Sequence, residues 1–233
     1  MPMHFHIISL FPGAFDSYLG ESILKRAIFD KKIKVSFYNP RDYADNEYKR
    51  IDQKPYGGGP GMVIQALPVI KAISKAVSSI EKLESRKSKG MRSKIHGSRY
   101  KILFFNPDGK QFDTHYAKDS AKKYDHIILV CGRYEGIDAR IKKAFKMEDV
   151  SVGPFVLTGG ELPAMIVIDS VSRQVEGVLG NFDSREEERV SSPDVYTRPE
   201  VFVYKNKKLR VPKVLLSGNH AEIDAWRESR KRV

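Results

Sequence analysis

Short apolar runs alternating with helix-spaced segments constrain this chain more than any other feature. Residues 5–10, 34–38, 100–105 and 126–131 are strand-length runs rich in Ile, Val, Leu and aromatic residues. Residues 15–28, 65–83, 114–123, 137–145 and 160–175 place apolar side chains at helical spacing, and residues 150–157 hold a further short strand. Strands separated by helices predict an α/β fold, a mostly parallel sheet with helices on both faces.

The alternation breaks twice. Residues 84–99 are polar and basic, contain Gly90 and Gly97, and read as a loop. Residues 180–193 carry Arg185-Glu186-Glu187-Glu188-Arg189 without apolar periodicity and read as a linker. The expected organisation is a catalytic-sized domain over residues 1–176, a flexible linker over 177–195 and a small, mainly helical C-terminal domain over 196–233. The last is expected to end in a helix over 221–232, with Ile223 and Trp226 on one face. There is no internal repeat.

Composition excludes several classes. Hydrophobic residues make up 41% of the chain, which is enough for a core and argues against overall disorder. No apolar run reaches membrane-spanning length, and the first residues lack a basic region followed by a long apolar stretch. Cys131 is the sole cysteine, which excludes an internal disulfide and a cysteine-cluster metal site. The six histidines show no metal-ligand spacing and H-E-x-x-H is absent, so no metal ligands are expected. A cytoplasmic protein without a membrane partner fits these facts. The net charge of +12 is local: residues 81–101 and residues 205–233 each carry +6. Two basic patches suit a polyanionic partner held by salt-dependent phosphate contacts, or serve as solvated segments that keep the chain soluble.

Neither the P-loop pattern nor G-x-G-x-x-G after the first strand occurs, so a Walker NTPase and an ordinary Rossmann dehydrogenase are unsupported. Three glycine turns instead follow the late strands. They are Asn106-Pro107-Asp108-Gly109, Cys131-Gly132-Arg133-Tyr134-Glu135-Gly136, and Ser151-Val152-Gly153-Pro154 running on to Thr158-Gly159-Gly160. Open α/β sheets bind ligands outside the carboxyl ends of their strands, where glycine lets backbone N–H and C=O groups approach. Steric need alone also places glycine in such turns.

At these residues the chain resembles the bacterial tRNA (guanine-N1) methyltransferases of the SPOUT class. The blocks that carry the resemblance are Ile8-Ser9-Leu10-Phe11-Pro12, Lys54-Pro55-Tyr56-Gly57-Gly58-Gly59-Pro60-Gly61-Met62, Cys131 to Asp138, Val156-Leu157-Thr158-Gly159-Gly160-Glu161-Leu162-Pro163-Ala164-Met165 with Asp169 to Arg173, and Tyr196-Thr197-Arg198-Pro199 with Val214 to His220. They follow the family's order over nearly the whole chain. The resemblance implies a trefoil knot in the backbone, a feature the usual rules of chain connection do not produce. It also implies methyl transfer from S-adenosylmethionine to N1 of the guanine immediately 3′ of the tRNA anticodon. The enzyme would be a homodimer with its active site at the subunit interface, and Mg²⁺ would be a possible further cofactor.

Residue roles follow from the same match. Pro107, Gly109, Gly132, Gly136, Ser151, Val152, Gly153, Pro154, Phe155, Val156, Leu157, Gly159, Gly160 and Pro163 fall on the cofactor loops. Asp52, Tyr56, Gly58, Gly59, Arg133, Glu135 and Arg198 fall on the substrate side. Arg173 corresponds to the arginine facing the base, where a guanidinium would stabilise charge on the deprotonated guanine. The family's general base is a linker Asp followed by Ser-Phe. This shorter linker lacks that triplet and places Glu188 there, with Asp183 and Asp194 as rivals. Pro154 stands at a usually polar position, and Asn106-Pro107-Asp108-Gly109 replaces a Ser-Pro-Gln-Gly pattern. By residue type alone, Arg173 suits a helix-surface ion pair, the Glu run a solvated linker, and Cys131 a buried strand position. Lys205, Lys207, Lys208 and Arg210 are candidate phosphate contacts.

Overall fold

Strand β1 (Met3–Ile8) is buried along its whole length. Met3, Phe5 and Ile7 join one apolar cluster, while Ile8 joins a second on the other face of the sheet. A strand buried on both faces belongs in the middle of a sheet covered by helices on both sides. The computed structural model describes residues 2–88, 99–179 and 194–230, and the chain divides into two compact units, Met1–Leu179 and Gly180–Val233.

In the larger unit, α1 (Asp16–Leu19) and α2 (Ser22–Phe29) lead into β2 (Ile33–Tyr38), which pairs parallel with β1. The two-residue strands β3 (Asp52–Gln53) and β4 (Val63–Ile64) bracket the glycine-rich run. Then follow α3 (Ala66–Ser88), β5 (Tyr100–Gln111), α4 (Thr114–Lys123), β6 (His126–Val130), α5 (Ile141–Ala144), β7 (Glu148–Ser151) and α6 (Glu161–Ser172). The five long strands lie in the order β2-β1-β6-β5-β7, all parallel. Residues of α6 pack one face through Ala164, Val167, Ile168 and Val171; residues of α3 pack the other through Val69, Ala72, Ile73, Ala76 and Ile80. The expected parallel α/β architecture is what the chain forms.

Several boundaries differ from the sequence reading, each for a local reason. The helix expected over 15–28 breaks at Gly20, whose N–H bonds Asp16 O at 2.9 Å, and a Cβ there would lie 2.5 Å from that oxygen. The segment read as a loop from residue 84 stays helical to Ser88; residues 89–98 lie outside the described residues. The helix expected over 137–145 shrinks to α5, because residues 136–138 are hydrogen-bonded to the backbone of Ile64 instead. Strand β5 does not end at Phe105. It bulges through Asn106 to Gly109 and re-pairs with β7 at Lys110 and Gln111.

The smaller unit contains a hairpin that helical periodicity did not reveal. Strands β8 (Val201–Tyr204) and β9 (Lys207–Arg210) pair antiparallel. Lys205 and Asn206 both take positive φ, 45° and 63°, in the two-residue turn. Helix α7 (His220–Glu228) follows, its first turn capped by the Asn219 side chain accepting from Glu222 N–H. Ile223 is buried, and the Trp226 ring lies 6.3 Å from that of Tyr196. Residues 180–193 of the linker expected over 177–195, including Glu188 and Asp183, lie outside the described residues.

Candidate active site

Parallel strands deliver all their carboxyl ends to one edge of the sheet. Beyond that edge, the loops after β6 and β7 and the bulge of β5 enclose a cleft of about 480 Å³. Its lining includes Phe104 to Pro107, Gly132 to Ile137, Val150 to Gly153, Phe155 to Gly160, and Pro163.

Backbone hydrogen bonds join these loops into one layer. Gly160 N–H donates to Gly132 O at 2.9 Å, and Gly136 N–H to Arg133 O at 3.0 Å. The loop after β6 is also tied to the end of the glycine-rich run: Glu135 N–H donates to Met62 O and Ile64 N–H to Gly136 O, both at 3.0 Å. Gly57, Gly58, Gly59 and Gly61 have φ of 86°, 79°, 109° and 81°, a left-handed succession that side chains would strain. At Gly160 the need is close approach, since a Cβ would come within 2.6 Å of the Cys131 Cα.

One buried carboxylate organises the floor. Glu161 opens α6 and is 3% exposed. Its Oε1 accepts from Ser9 Oγ at 2.7 Å, and its Oε2 lies 2.9 Å from Arg133 Nε. That ion pair is close but not aligned as a hydrogen bond, and neither atom finds another partner. The Arg133 guanidinium also stands 4.9 Å from the centre of the Phe11 ring. Glu161 therefore joins the ends of β1 and β6 to the start of α6. The Ser-Leu-Phe and Gly-Gly-Glu blocks carried this signal, but sequence reading gave Glu161 no role of its own.

Of the residues assigned to the cofactor loops, Pro107, Gly132, Gly136, Ser151, Val152, Gly153, Phe155, Val156, Leu157, Gly159, Gly160 and Pro163 line the cleft. Arg133 and Glu135, assigned to the substrate, line it too. Pro154 lies in the same loop but not on the cleft wall, and Gly109 faces elsewhere. A Cβ at Gly109 would come within 2.5 Å of Val150 N, so this glycine serves the close pairing of β5 with β7. Lys142 is a wall residue that sequence reading missed; its Nζ pairs with Asp149 at 2.6 Å, and Asn106 Nδ2 donates to the same carboxylate oxygen at 2.9 Å.

Asp52 sits on β3, and Tyr56, Gly58 and Gly59 are exposed at the glycine-rich tip, with the Tyr56 side chain fully open to solvent. None of the four lines the cleft. Arg173 follows the last residue of α6, twelve positions beyond Glu161, which is roughly 18 Å along the helix axis. Within one chain it is thus held at the opposite end of α6 from the cleft. Arg198 and Asp194 belong to the smaller unit, where Asp194 lies 3.9 Å from Arg230. Cys131 is buried, and burial pushes its thiol pKa well up, so it is a packed strand residue rather than a nucleophile.

Three histidines without metal-ligand spacing in the sequence meet in the fold. His4, His6 and His126 converge in the sheet, with one ring nitrogen of each within 4.8 Å of the others. His-x-His on a strand puts both rings on one face, a signal that a search for helical and loop spacings passes over.

Comparison of the sequence with known proteins points to one family. A family model described as tRNA (Guanine-1)-methyltransferase TrmD matches residues 3–233. A tRNA (guanine-N(1)-)-methyltransferase of Clostridioides difficile (strain 630) is 42% identical over 230 residues, covering 97% of this chain and 90% of the relative. Another, from Caldanaerobacter subterraneus subsp. tengcongensis, is 43% identical over 233 residues, covering 98% and 86%. A third, from Staphylococcus aureus (strain JH9), is 40% identical over 235 residues, covering 99% and 86%.

Proposed function

This chain belongs to the tRNA (guanine-1)-methyltransferase family, and from that premise we propose that it methylates N1 of the guanine immediately 3′ of the anticodon in tRNA, drawing the methyl group from S-adenosylmethionine. The observation that carries this reading is the cleft beyond the carboxyl ends of β5, β6 and β7, walled by backbone-rich loops. Such a site suits a nucleoside-bearing ligand held mainly by main-chain groups. At Gly136 a Cβ would meet nothing within 4 Å, whereas bare peptide at Gly159 and Gly160 lets the loops close on Arg133 and Cys131; Pro107 and Pro163 shape the wall. When bound, S-adenosylmethionine supplies an electrophilic methyl group.

The chain's own task is to make guanine N1 nucleophilic. In this reading the Glu188 carboxylate takes the N1 proton, and the Arg173 guanidinium stabilises the negative charge left over N1 and O6. Arg133 and Glu135 orient the reactants. Tyr56, open to solvent, is available to stack on a base drawn out of its neighbours. The trefoil knot implied by the family belongs to the same reading. No residue is assigned to Mg²⁺, the further cofactor that the family resemblance makes possible.

The placement of Arg173 far along α6 from its own cleft supports a homodimer in which one chain brings this arginine to its partner's site. Phe155 and Val156 on the cleft loop and Leu162 and Ile166 on α6 support it as well, since all four are large apolar side chains left exposed. The test is transfer of labelled methyl to tRNA transcripts carrying guanine or adenine 3′ of the anticodon. N1-methylguanine should form with the first alone. Arg173→Ala should cut the rate about 10²–10³-fold and Glu188→Gln about 10²–10⁴-fold, with cofactor affinity kept. Full activity in Glu188→Gln would move the base to Asp183 or Asp194; no N1-methylguanine from a folded dimer would refute the function.

A further inference from the structure

The proposed reaction leaves His4, His6 and His126 without a role. His4 and His6 are two apart on β1, so both rings stand on the face of the sheet that carries Ile8 and the α3 residues. His126 opens β6 directly opposite His4. The three are 5%, 0% and 5% exposed.

Their nitrogens lie at nearly ligand spacing. His6 Nε2 and His126 Nδ1 are 3.1 Å apart, and one nitrogen from each ring lies within 4.8 Å of the others. Around a tetrahedral Zn²⁺ with bonds of about 2.0–2.1 Å, ligand nitrogens sit roughly 3.4 Å apart. One pair is already there; the His4 ring, 3.9 Å from that of His6 and inclined at 33°, has to turn toward them.

Outer partners that would orient the rings are also present. Ser36 Oγ lies 2.9 Å from His4 Nε2, and the Tyr38 hydroxyl lies 3.0 Å from His6 Nδ1. A His6 tautomer that donates Nδ1–H to Tyr38 leaves Nε2 for a metal. Lys34 stands opposite His4 on β2 and its charge opposes a cation here, an effect weakened by water because the side chain is exposed.

We propose that His4, His6 and His126 supply three of four ligands to one Zn²⁺-class transition-metal ion that staples β1 to β6. An all-imidazole set selects such ions over Mg²⁺ and Ca²⁺. The site is structural: Ser9 is three residues beyond His6 and Cys131 five beyond His126, roughly 10 and 17 Å of strand. The rival account is a metal-free hydrogen-bonded core network in which the same rings satisfy one another.

The test uses the untagged full-length chain, stripped with chelator and titrated with Co²⁺ as a spectroscopic stand-in for Zn²⁺. One equivalent should give visible bands of tetrahedral intensity, Zn²⁺ should displace it, and either ion should raise Tm. In His126→Gln and His4→Gln, folded by circular dichroism, affinity should fall at least about tenfold. The double variant His115→Gln/His220→Gln, altered at two exposed positions, should bind as the parent does. Because the wild-type spectrum reads coordination directly, misfolding of a variant leaves the test intact. Absence of a saturable one-equivalent site, weak octahedral bands, or full affinity in a folded His126→Gln would each overturn the proposal in favour of the metal-free network. None of these readouts depends on methyl transfer.

Discussion

At the residue scale, the unusual feature is charge and potential charge kept inside the sheet. Burial holds the His4 and His6 imidazoles well below the ordinary 6.5, at about 3 and about 2, with neighbouring Lys34 and His126, and His4 on His6, adding to the effect. Above pH 6.5 both folded and unfolded chains carry them neutral, and they contribute nothing to pH dependence. Below 6.5 the unfolded chain takes up protons that the folded chain refuses, so stability falls with pH, by about 1.4 kcal/mol per unit for each group. The loss continues until the folded values near 3 and 2 are reached. Urea titrations of chelator-treated protein should show a drop of a few kcal/mol between pH 6.5 and 5, and the slope should flatten in His4→Gln. An unchanged midpoint across that window would mean these rings are not held neutral. Glu161 makes the opposite case, a buried carboxylate facing a guanidinium. Glu161→Gln keeps an oxygen for Ser9 but leaves Arg133 without its counter-charge. Breaking a fully buried pair costs about 3–5 kcal/mol, and the partial exposure of Arg133 lowers the expectation to about 1–3. Calorimetry should show that loss, with weaker binding of S-adenosylmethionine alongside it; unchanged values for both would reduce Glu161 to a filler of space.

At the element scale, α6 shows what a helix apolar on two faces is for. One face, through Ala164, Val167, Ile168 and Val171, is packed against the sheet, while Leu162 and Ile166, one turn apart, stay exposed. If that second face is covered by another copy, Ile166→Glu should shift the protein toward monomer in sedimentation velocity and abolish methyl transfer, while each chain keeps its fold by circular dichroism. A dimer of undiminished affinity would place the interface elsewhere. The strands of the sheet were legible in the sequence because buried parallel strands are near-continuous apolar runs, as in Ile127 to Val130. The loops that wall the cleft were legible because glycine is required where backbone meets backbone, as Gly160 meets Cys131. What periodicity could not show were tertiary overrides. The Asn106 to Gly109 segment looked like a strand-ending turn because a bulge and a turn use the same residues. Only re-pairing at Lys110 distinguishes them. The β8–β9 hairpin escaped for a related reason: Lys205-Asn206 lacks the usual glycine, yet both residues take the left-handed conformation.

At the scale of the whole molecule, the excess charge must be reconciled with a polyanionic substrate. The net +12 is concentrated in two segments, one of which begins at the turn of the hairpin and includes β9. There Lys205, Lys207, Lys208 and Arg210 are exposed beside exposed Phe202 and Tyr204. Cations next to aromatic rings on a short ribbon suit a nucleic-acid backbone with unstacked bases, but phosphate contacts position without specifying. Two consequences separate this role from that of the cleft. Binding of tRNA should weaken with salt, and each lost phosphate contact should reduce the slope of log K against log salt by roughly 0.7–0.9. Replacing all four cations by Gln should therefore flatten the slope by up to about 3 and raise KM for tRNA. The rate at saturating tRNA and the affinity for S-adenosylmethionine should stay the same, because the cleft is built within the larger unit. An unaltered slope would remove the hairpin from the tRNA surface and leave the basic segment around residues 81–101 as the electrostatic contact. A slope that flattens together with a lower saturated rate would instead show that the smaller unit takes part in aligning the guanine as well as holding the phosphates.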